Sequence, residues 1–155
     1  MPEPETQQSI SDAAQEIFEL YKLVAEARSK APQSSHDLSE TEFLALDFLA
    51  KRGPLTIGEI QKAIGVVPAQ MSRIIRALET RDGKSYVECR INAQDRRRVD
   101  VLLSDDGRTA YEGYQANRLA SMNQILAILT PDDRVHFMRI LREIRDAIEA
   151  KLHPS

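Results

Sequence analysis

Residues 92–107, NAQDRRRVDVLLSDDG, hold three consecutive arginines between a polar turn and an alternating apolar run. The alternation of Val99, Val101 and Leu103 predicts a β-strand, because side chains two residues apart lie on one face of a strand. A second alternating run, residues 85–91 (SYVECRI), predicts the strand that pairs with it. The stretch therefore predicts a β-hairpin with a cationic tip. That tip presents Asp95, Arg96, Arg97 and Arg98.

Two short helices are predicted immediately upstream of the hairpin. Thr56 and Glu59 have the spacing of a capping box at the start of the first helix, and Gly65 ends it. Pro68 suits the first turn of the second helix, which we expect to run to about Arg81. Two short helices joined by a tight turn after a glycine are typical of a helix-turn-helix. With the hairpin that follows, they predict a winged helix-turn-helix.

The second of these helices, PAQMSRIIRALET, has two distinct faces when each residue advances by about 100°. The apolar face is predicted to be buried and carries Met71, Ile74, Ile75 and Leu78. The opposite face combines small residues, which let the backbone approach a surface, with arginines and a glutamine that can contact phosphates and base edges. An ordinary solvated helix face is the alternative interpretation. The predicted DNA contacts of this helix are Pro68, Ala69, Gln70, Ser72, Arg73, Arg76 and Ala77.

The charge of the chain is unevenly distributed. The whole sequence has a formal net charge of −3, but the window 68–100 holds eight basic and five acidic residues, a net charge of +3. A basic segment on an acidic body is typical of a surface that binds a polyanion. A narrow minor groove concentrates negative potential and favours arginine, so the cationic hairpin tip is expected to enter it.

The composition excludes several other classes of protein. With 42% hydrophobic and 29% charged residues in 155, the chain is expected to be a mainly α protein with a small β wing. We expect a cytoplasmic location and no membrane contact, because no signal peptide or membrane-spanning run is present. The single Cys89 and the three scattered histidines predict neither a disulfide nor a metal site. No cofactor motif or catalytic motif occurs, so we expect no cofactor and no enzymatic activity.

Helices are also predicted on both sides of the winged unit. Residues 1–9 are expected to be a disordered tail, followed by a helix from Ser11 to about Ser29 that the segment KAPQSSHD ends. Ser39 and Ser104 are predicted to cap further helices, and Thr130 to cap the last. We expect the last two helices to form an antiparallel hairpin. The predicted organisation is a DNA-binding domain over residues 38–104 and a dimerisation region made of residues 10–32 and 105–152.

The broad apolar stripes of these flanking helices exceed what a small winged domain can cover. We expect them to cover one another across a two-fold axis in a homodimer. A monomer that folds the helices back on itself is the alternative.

The motif D-x-R, an alternating strand and L-[T/S]-x-x-G resembles the MarR family of bacterial transcription regulators. It stands here as Asp95, Arg97, Leu103, Ser104 and Gly107. The segment IGVVPAQMSRIIRALE is similar to the family's recognition helix, through Met71, Ser72, Arg73 and Leu78. Two departures from the family pattern are the longer link ETRDGKSY and Val67, which stands where the family often has a capping serine or aspartate.

The resemblance implies a homodimer on a pseudo-palindromic operator, with recognition helices in successive major grooves and wings in the flanking minor grooves. By the family pattern, Arg97 is the minor-groove arginine and Asp95 orients nearby arginines, as a brace for a guanidinium. Lys84 and Arg90 are candidate contacts to the DNA backbone. A small-molecule effector is implied as well. Cysteine oxidation, used by some relatives, has only Cys89 as a candidate, and no feature of its surroundings in the sequence activates a thiolate.

The sequence therefore predicts a ligand-responsive repressor that binds double-stranded DNA. The alternative is a winged-helix module that docks an acidic protein partner and has no specific affinity for DNA.

Overall fold

The computed structural model describes residues 4–30, 38–81 and 83–152. Two compact units divide the chain at residue 37, with the first helix in one unit and all the other elements in the second. The segment predicted to end the first helix lies largely outside the described residues. The elements in chain order are α1 (Pro4–Lys30), α2 (Glu40–Arg52), β1 (Leu55–Thr56), α3 (Ile57–Ile64), α4 (Pro68–Glu79), β2 (Val87–Ile91), β3 (Val99–Leu103), α5 (Asp105–Leu126) and α6 (Pro131–Leu152).

The second unit contains the predicted winged helix-turn-helix. Strands β2 and β3 form an antiparallel hairpin in which Val87 pairs with Leu103 and Ile91 with Val99. The sequence did not predict β1, which pairs with β3 on its other side and gives the strand order β1-β3-β2. Since β1 has only two residues, it has no alternating pattern that could reveal it. The mainly α fold with a small β wing is confirmed.

The core of this unit lies where the helix-turn-helix meets the sheet and α5. The apolar face predicted for α4 is confirmed, because Met71 and Leu78 are fully buried, Ile75 is 2% exposed and Ile74 is partly buried. Other elements contribute the remaining buried side chains, among them Ala45, Leu46, Leu49, Ile60, Tyr86, Val87 and Val101. Burial of one face of α4 fixes which residues its other face presents to solvent.

The predicted helix caps are present. Ser39 Oγ accepts from the Glu42 amide at 3.2 Å, while Glu42 Oε2 accepts from the Ser39 amide at 2.7 Å. Thr56 and Glu59 make the same reciprocal pair at the start of α3. Gly65 ends α3 in the left-handed region, with φ of 80°, which glycine adopts without steric cost. Local sequence therefore sets the ends of the helices that frame the winged unit.

An aromatic cluster joins α2 to α5. The ring of Phe43 lies 5.4 Å from that of Tyr111 and 4.8 Å from that of Tyr114, centroid to centroid. The Tyr111 hydroxyl donates to Asp47 Oδ1 at 2.8 Å. Burial and then this carboxylate raise the pKa of Tyr111 to about 12, so the hydroxyl keeps its proton and remains a donor. The cluster attaches the first half of the long helix firmly to α2.

Helix α1 begins at Pro4, not at about Ser11. The expectation that all of residues 1–9 form a disordered tail is therefore wrong for residues 4–9, which are helical, while residues 1–3 lie outside the described part. Proline is well tolerated at the first position of a helix, so Pro4 is compatible with a helix start. Every residue of α1 whose side chain is described, 8–30, is exposed.

The predicted antiparallel hairpin of α5 and α6 is also wrong. Such a hairpin would bury the apolar faces of both helices, yet no described residue of α6 is buried. The second half of α5 is similarly open, with Leu119, Met122 and Ile125 more than half exposed. A short connection alone does not make two helices pack, and here the apolar stripes remain uncovered within the chain.

The junction between the wing and α5 explains the spacing of Ser104 and Gly107. Ser104 Oγ caps α5 by accepting from the Gly107 amide at 2.9 Å, and donates to the Ser85 carbonyl at 2.5 Å. A Cβ on Gly107 would lie 2.0 Å from the carbonyl oxygen of Tyr86. Only glycine allows the backbone of α5 to approach the wing this closely.

We expect Gly107→Ala to lower the free energy of unfolding by about 3 kcal/mol, the upper end of the range for overpacking, because backbone atoms must move apart. Gly113→Ala is the matched control, since a Cβ at this other glycine of α5 meets nothing within 4 Å. It should raise stability by up to about 1 kcal/mol, as alanine favours a helix interior. Urea unfolding of both variants measures the two changes, and equal stability of the two would contradict this account of Gly107.

Candidate nucleic-acid interface

The outer face of α4 is open to solvent as predicted. Ser72 is half-buried beside the core face. The exposed residues of the predicted set are Pro68, Ala69, Gln70, Arg73, Arg76 and Ala77. Pro68 occupies the first turn, and Val67 at the N-cap makes no side-chain cap, as expected from the departure at that position. The helix start is held through the Val67 carbonyl, which accepts from the amides of Gln70 and Met71 at 3.1 Å each.

The wing tip is a closed hydrogen-bonded turn. Asn92 Oδ1 accepts from the amides of Gln94 and Asp95, at 2.8 and 2.9 Å. The Asn92 amide donates to the Arg98 carbonyl, and the Arg98 amide donates to the Asp95 carbonyl, both at 2.9 Å. Asparagine side chains stabilise turns in this way by bonding to backbone two or three residues on. The arginines therefore project from an ordered backbone.

Asp95 orders the wing through the backbone. Its Oδ1 accepts from the Arg97 amide at 3.0 Å. The family pattern predicts that this carboxylate braces a guanidinium, whereas in the structure it binds the main chain of Arg97, the arginine assigned to the minor groove. Asp95 therefore holds the backbone of Arg97 in place and leaves its guanidinium group without a carboxylate partner in the part of the chain that the structure describes.

The eight basic residues of the window 68–100 fall into two groups. Four are tied to acidic side chains: Arg81 to Glu42, Lys84 to Asp106, Arg90 to Glu88 and Arg98 to Glu59. The other four have no acidic partner among the described residues, and all are exposed: Arg73, Arg76, Arg96 and Arg97. These four lie on the outer face of α4 and at the wing tip, so within this window the unneutralised positive charge lies on the two elements that were predicted to contact DNA.

Three of these paired cations are also predicted to contact DNA. Arg98, Lys84 and Arg90 have half or more of their side chains exposed, and their pairs span 2.6 to 3.3 Å. Exposed ion pairs contribute only about 0–1 kcal/mol to the free energy of unfolding. A DNA phosphate can therefore replace the carboxylate at little cost in stability. Hydrogen bonds from the Thr56 amide and hydroxyl, and the charge of Arg98, lower the pKa of Glu59. The partner of Arg98 therefore stays ionised at neutral pH.

The sequence did not reveal these pairings. Glu42 and Glu59 were recognisable as capping residues, but each also binds an arginine 39 residues away. A glutamate three residues after a serine or threonine indicates a capping box. This spacing identifies the capping residue as a partner of the glutamate, but it gives no information about a distant arginine.

Cys89 lies on β2 in an environment that disfavours its thiolate. Cys89 is exposed, but partial desolvation of its thiol, followed by the hydrogen bond and negative charge of Glu79, raises the pKa of Cys89 to about 11. The thiolate is the form that reacts with oxidants, so a raised pKa slows oxidation. Cys89 is therefore a poor candidate for a redox sensor.

The described residues contain neither a candidate metal site nor a helix suited to span a membrane. No group of three or more His, Cys, Asp and Glu side chains there could hold a metal ion. None of the described helices combines the length and the apolar character needed to cross a membrane.

The fold and the distribution of charge define a winged helix-turn-helix protein with a cationic recognition helix and wing. Residues 38–99 match the model of the MarR family. The chain is 28% identical over 112 residues to the HTH-type transcriptional repressor MdtR of Bacillus subtilis, a match that covers 72% of this chain and 70% of that protein. The winged unit of this chain is therefore similar to the MarR family of transcription regulators.

Solved structures share this fold. The YusO protein of Bacillus subtilis superposes with a TM-score of 0.73 at 24% identity, over 91% of this chain and 97% of that chain. FabT of Streptococcus pneumoniae, crystallised in complex with DNA, gives a TM-score of 0.66 at 20% identity, over 92% of this chain and 97% of that chain. These similarities establish the winged fold across most of the chain.

We expect Cys89 to be alkylated slowly at neutral pH. A pKa of about 11 in place of 9.0 leaves about a hundredfold less thiolate than an ordinary cysteine has. The rate of iodoacetamide alkylation, followed by mass spectrometry from about pH 7 to 11, measures this difference against the urea-unfolded protein. Glu79→Gln should increase the rate in the folded protein, and a folded rate equal to the unfolded rate at neutral pH would contradict the raised pKa.

Proposed function

We propose that the protein is a sequence-specific repressor that binds a pseudo-palindromic operator as a homodimer in the cytoplasm. The observation that carries the proposal is the placement of the four unpaired arginines: Arg73, Arg76, Arg96 and Arg97. Phosphate neutralisation supplies most of the affinity for DNA, and only cations that are not already neutralised supply it without first breaking an ion pair. Within the window 68–100, the cations without an acidic partner lie on these two elements, which suits the two elements to bind a polyanion, while the net negative charge of the chain disfavours binding elsewhere.

The two elements have different tasks in this proposal. Residues at the N-terminal end of a recognition helix contact base edges in the major groove, so Ala69, Gln70 and Arg73 read the sequence. Arg97 inserts into the minor groove, from a turn that Asp95 and Asn92 hold closed. Arg98, Lys84 and Arg90 contribute to the DNA backbone contacts after exchanging their carboxylates for phosphates.

Dimerisation is supported by the apolar surface that each flanking helix leaves open. On α6, Val135, Ile144 and Ile148 are 69%, 44% and 52% exposed. On α1, Ile17, Phe18 and Tyr21 are 62%, 58% and 67% exposed. Soluble monomers rarely expose such contiguous stripes, and a second copy covers them symmetrically. Two recognition helices in the dimer then read half-sites about one helical turn, ~34 Å, apart.

Repression follows from occupancy of the operator, which excludes the transcription machinery from the same DNA. The name of MdtR, a transcriptional repressor, supports this direction of control. The complex of FabT with DNA supports double-stranded DNA as the partner. A small-molecule effector that releases the protein from DNA is included in the proposal on the strength of the family resemblance.

We expect Arg97→Ala to weaken binding to the operator by about tenfold and to reduce the salt slope, d log K/d log[salt], by about one, since one cation fewer meets the DNA. Fluorescence anisotropy on the DNA upstream of the protein's own coding sequence, at several salt concentrations, measures both. Arg139→Ala on α6 is the control, because that arginine is paired with Glu143 and far in sequence from the winged unit. If Arg97→Ala and Arg73→Ala both bind as wild type does, the proposal fails.

A second expectation concerns assembly. Ile144→Glu should convert the dimer to a monomer, because a charge placed in an apolar interface is left without solvent or a partner. Sedimentation velocity measures the change, and operator affinity should fall by about a hundredfold or more as the two half-sites are no longer bound jointly. Arg142→Glu introduces the same residue two positions away and should leave the dimer intact. A wild-type protein that sediments as a monomer would refute the dimer.

A further inference from the structure

We propose that Glu42 and Arg81 are positioning residues whose ion pair holds the C-terminal end of the recognition helix against α2, and so sets the angle at which the helix meets the operator. The inference rests on the proposed function and deepens it, since it concerns how specificity is maintained by residues that do not touch DNA.

The pair joins the end of one helix to the start of another. Glu42 is the third residue of α2 and is 7% exposed. Its Oε2 accepts from the Ser39 amide at 2.7 Å, and its Oε1 accepts from Arg81 Nη1 at 2.5 Å. Both carboxylate oxygens are therefore engaged, one by the cap of its own helix and one by Arg81. The arginine lies two residues beyond Glu79, the last residue of α4.

The other end of α4 lacks an equivalent anchor. Val67 provides no side-chain cap, and the hydrogen bonds that hold the start of the helix are made by its carbonyl within the same segment. The buried apolar face resists rotation of α4 about its own axis. It resists tilting less, because apolar packing is not directional. A charge-assisted hydrogen bond is directional, and one that joins α2 to the segment just after α4 limits tilting.

Burial distinguishes this pair from the other ion pairs of the winged unit. The side chains of Glu42 and Arg81 are 10% and 28% exposed, whereas those of Arg98 and Glu59 are both 50% exposed. A phosphate cannot displace a carboxylate that is shielded from solvent and bonded at both oxygens without leaving a buried charge unpaired. Arg81 is therefore assigned to the protein interior and not to the DNA.

The competing assignment makes Arg81 a phosphate contact, and the two assignments predict opposite results for Glu42→Gln. Glutamine keeps an oxygen to cap Ser39 but loses the ion pair. If Arg81 positions α4, Glu42→Gln weakens operator binding, because the helix end is released. If Arg81 contacts phosphate, Glu42→Gln strengthens DNA binding, because a competing carboxylate is removed.

The test compares binding to the operator with binding to a duplex of scrambled sequence and the same composition, by fluorescence anisotropy. The ratio of the two dissociation constants reports helix orientation, and it does not change when a variant merely lowers the folded fraction. We expect Glu42→Gln and Arg81→Met each to reduce this ratio by about tenfold. The double variant should lose no more than Arg81→Met alone, since the Glu42–Arg81 ion pair is already absent from that variant. The salt slope should stay at the wild-type value.

Two further variants complete the design. Arg81→Lys keeps the positive charge and should recover part of the lost discrimination. Glu88→Gln is the matched control, because it removes an exposed acid that is paired with Arg90. It should leave the ratio of the two dissociation constants unchanged. Any gain in affinity for both duplexes in this variant measures the general effect of losing one negative charge. Three results would each overturn the proposal. The first is tighter binding of Glu42→Gln to both duplexes, and the second is a reduced salt slope for Arg81→Met. The third is an equal loss of affinity for both duplexes in either variant. A wild-type protein without preference for the operator refutes the proposed function itself, and this inference with it.

Discussion

Burial of the inner face of α4 is the constraint on which the rest of the structure depends. Met71, Ile75 and Leu78 are between 0% and 2% exposed, so the helix has one rotational setting in the core. A helix with one face fixed has the other face fixed too, and Arg73 and Arg76 are exposed for this reason. The specificity of the outer face is thus set by the packing of the inner face.

The pairing of charges is the second constraint, because the acidic side chains determine which of the basic side chains are neutralised. The chain has a net charge of −3, and within the described residues its acids neutralise half of the cations in the basic window. The cations that remain unpaired are those on the outer face of α4 and at the wing tip. Arg97 illustrates the arrangement, because Asp95 bonds to its amide and leaves the guanidinium without a carboxylate. A carboxylate can therefore lie beside an exposed arginine without neutralising its charge.

Local patterns in the sequence predicted much of the winged unit, and non-local packing accounts for what they missed. The caps at Ser39, Thr56 and Ser104 and the burial of Met71 follow from residues within one or two turns of each other. The two-residue strand β1 exists because β3 lies beside it, so no local pattern reports it. The antiparallel hairpin of α5 and α6 was inferred from a short connection, but helices pack only where a partner face is within reach. Long-range ion pairs such as Glu42 with Arg81 have no periodicity at all.

Helix α2 connects the two halves of the second unit. Through Phe43 and Asp47 it binds Tyr111 of α5, and through Glu42 it binds the segment that ends α4. These contacts lie within two turns of one helix, and packed interiors transmit displacement because they contain few voids to absorb it. A displacement of α5 on α2 would therefore act on the same helix that holds the end of α4. Helix α2 is thus the element that contacts both the first half of α5 and the segment that follows α4.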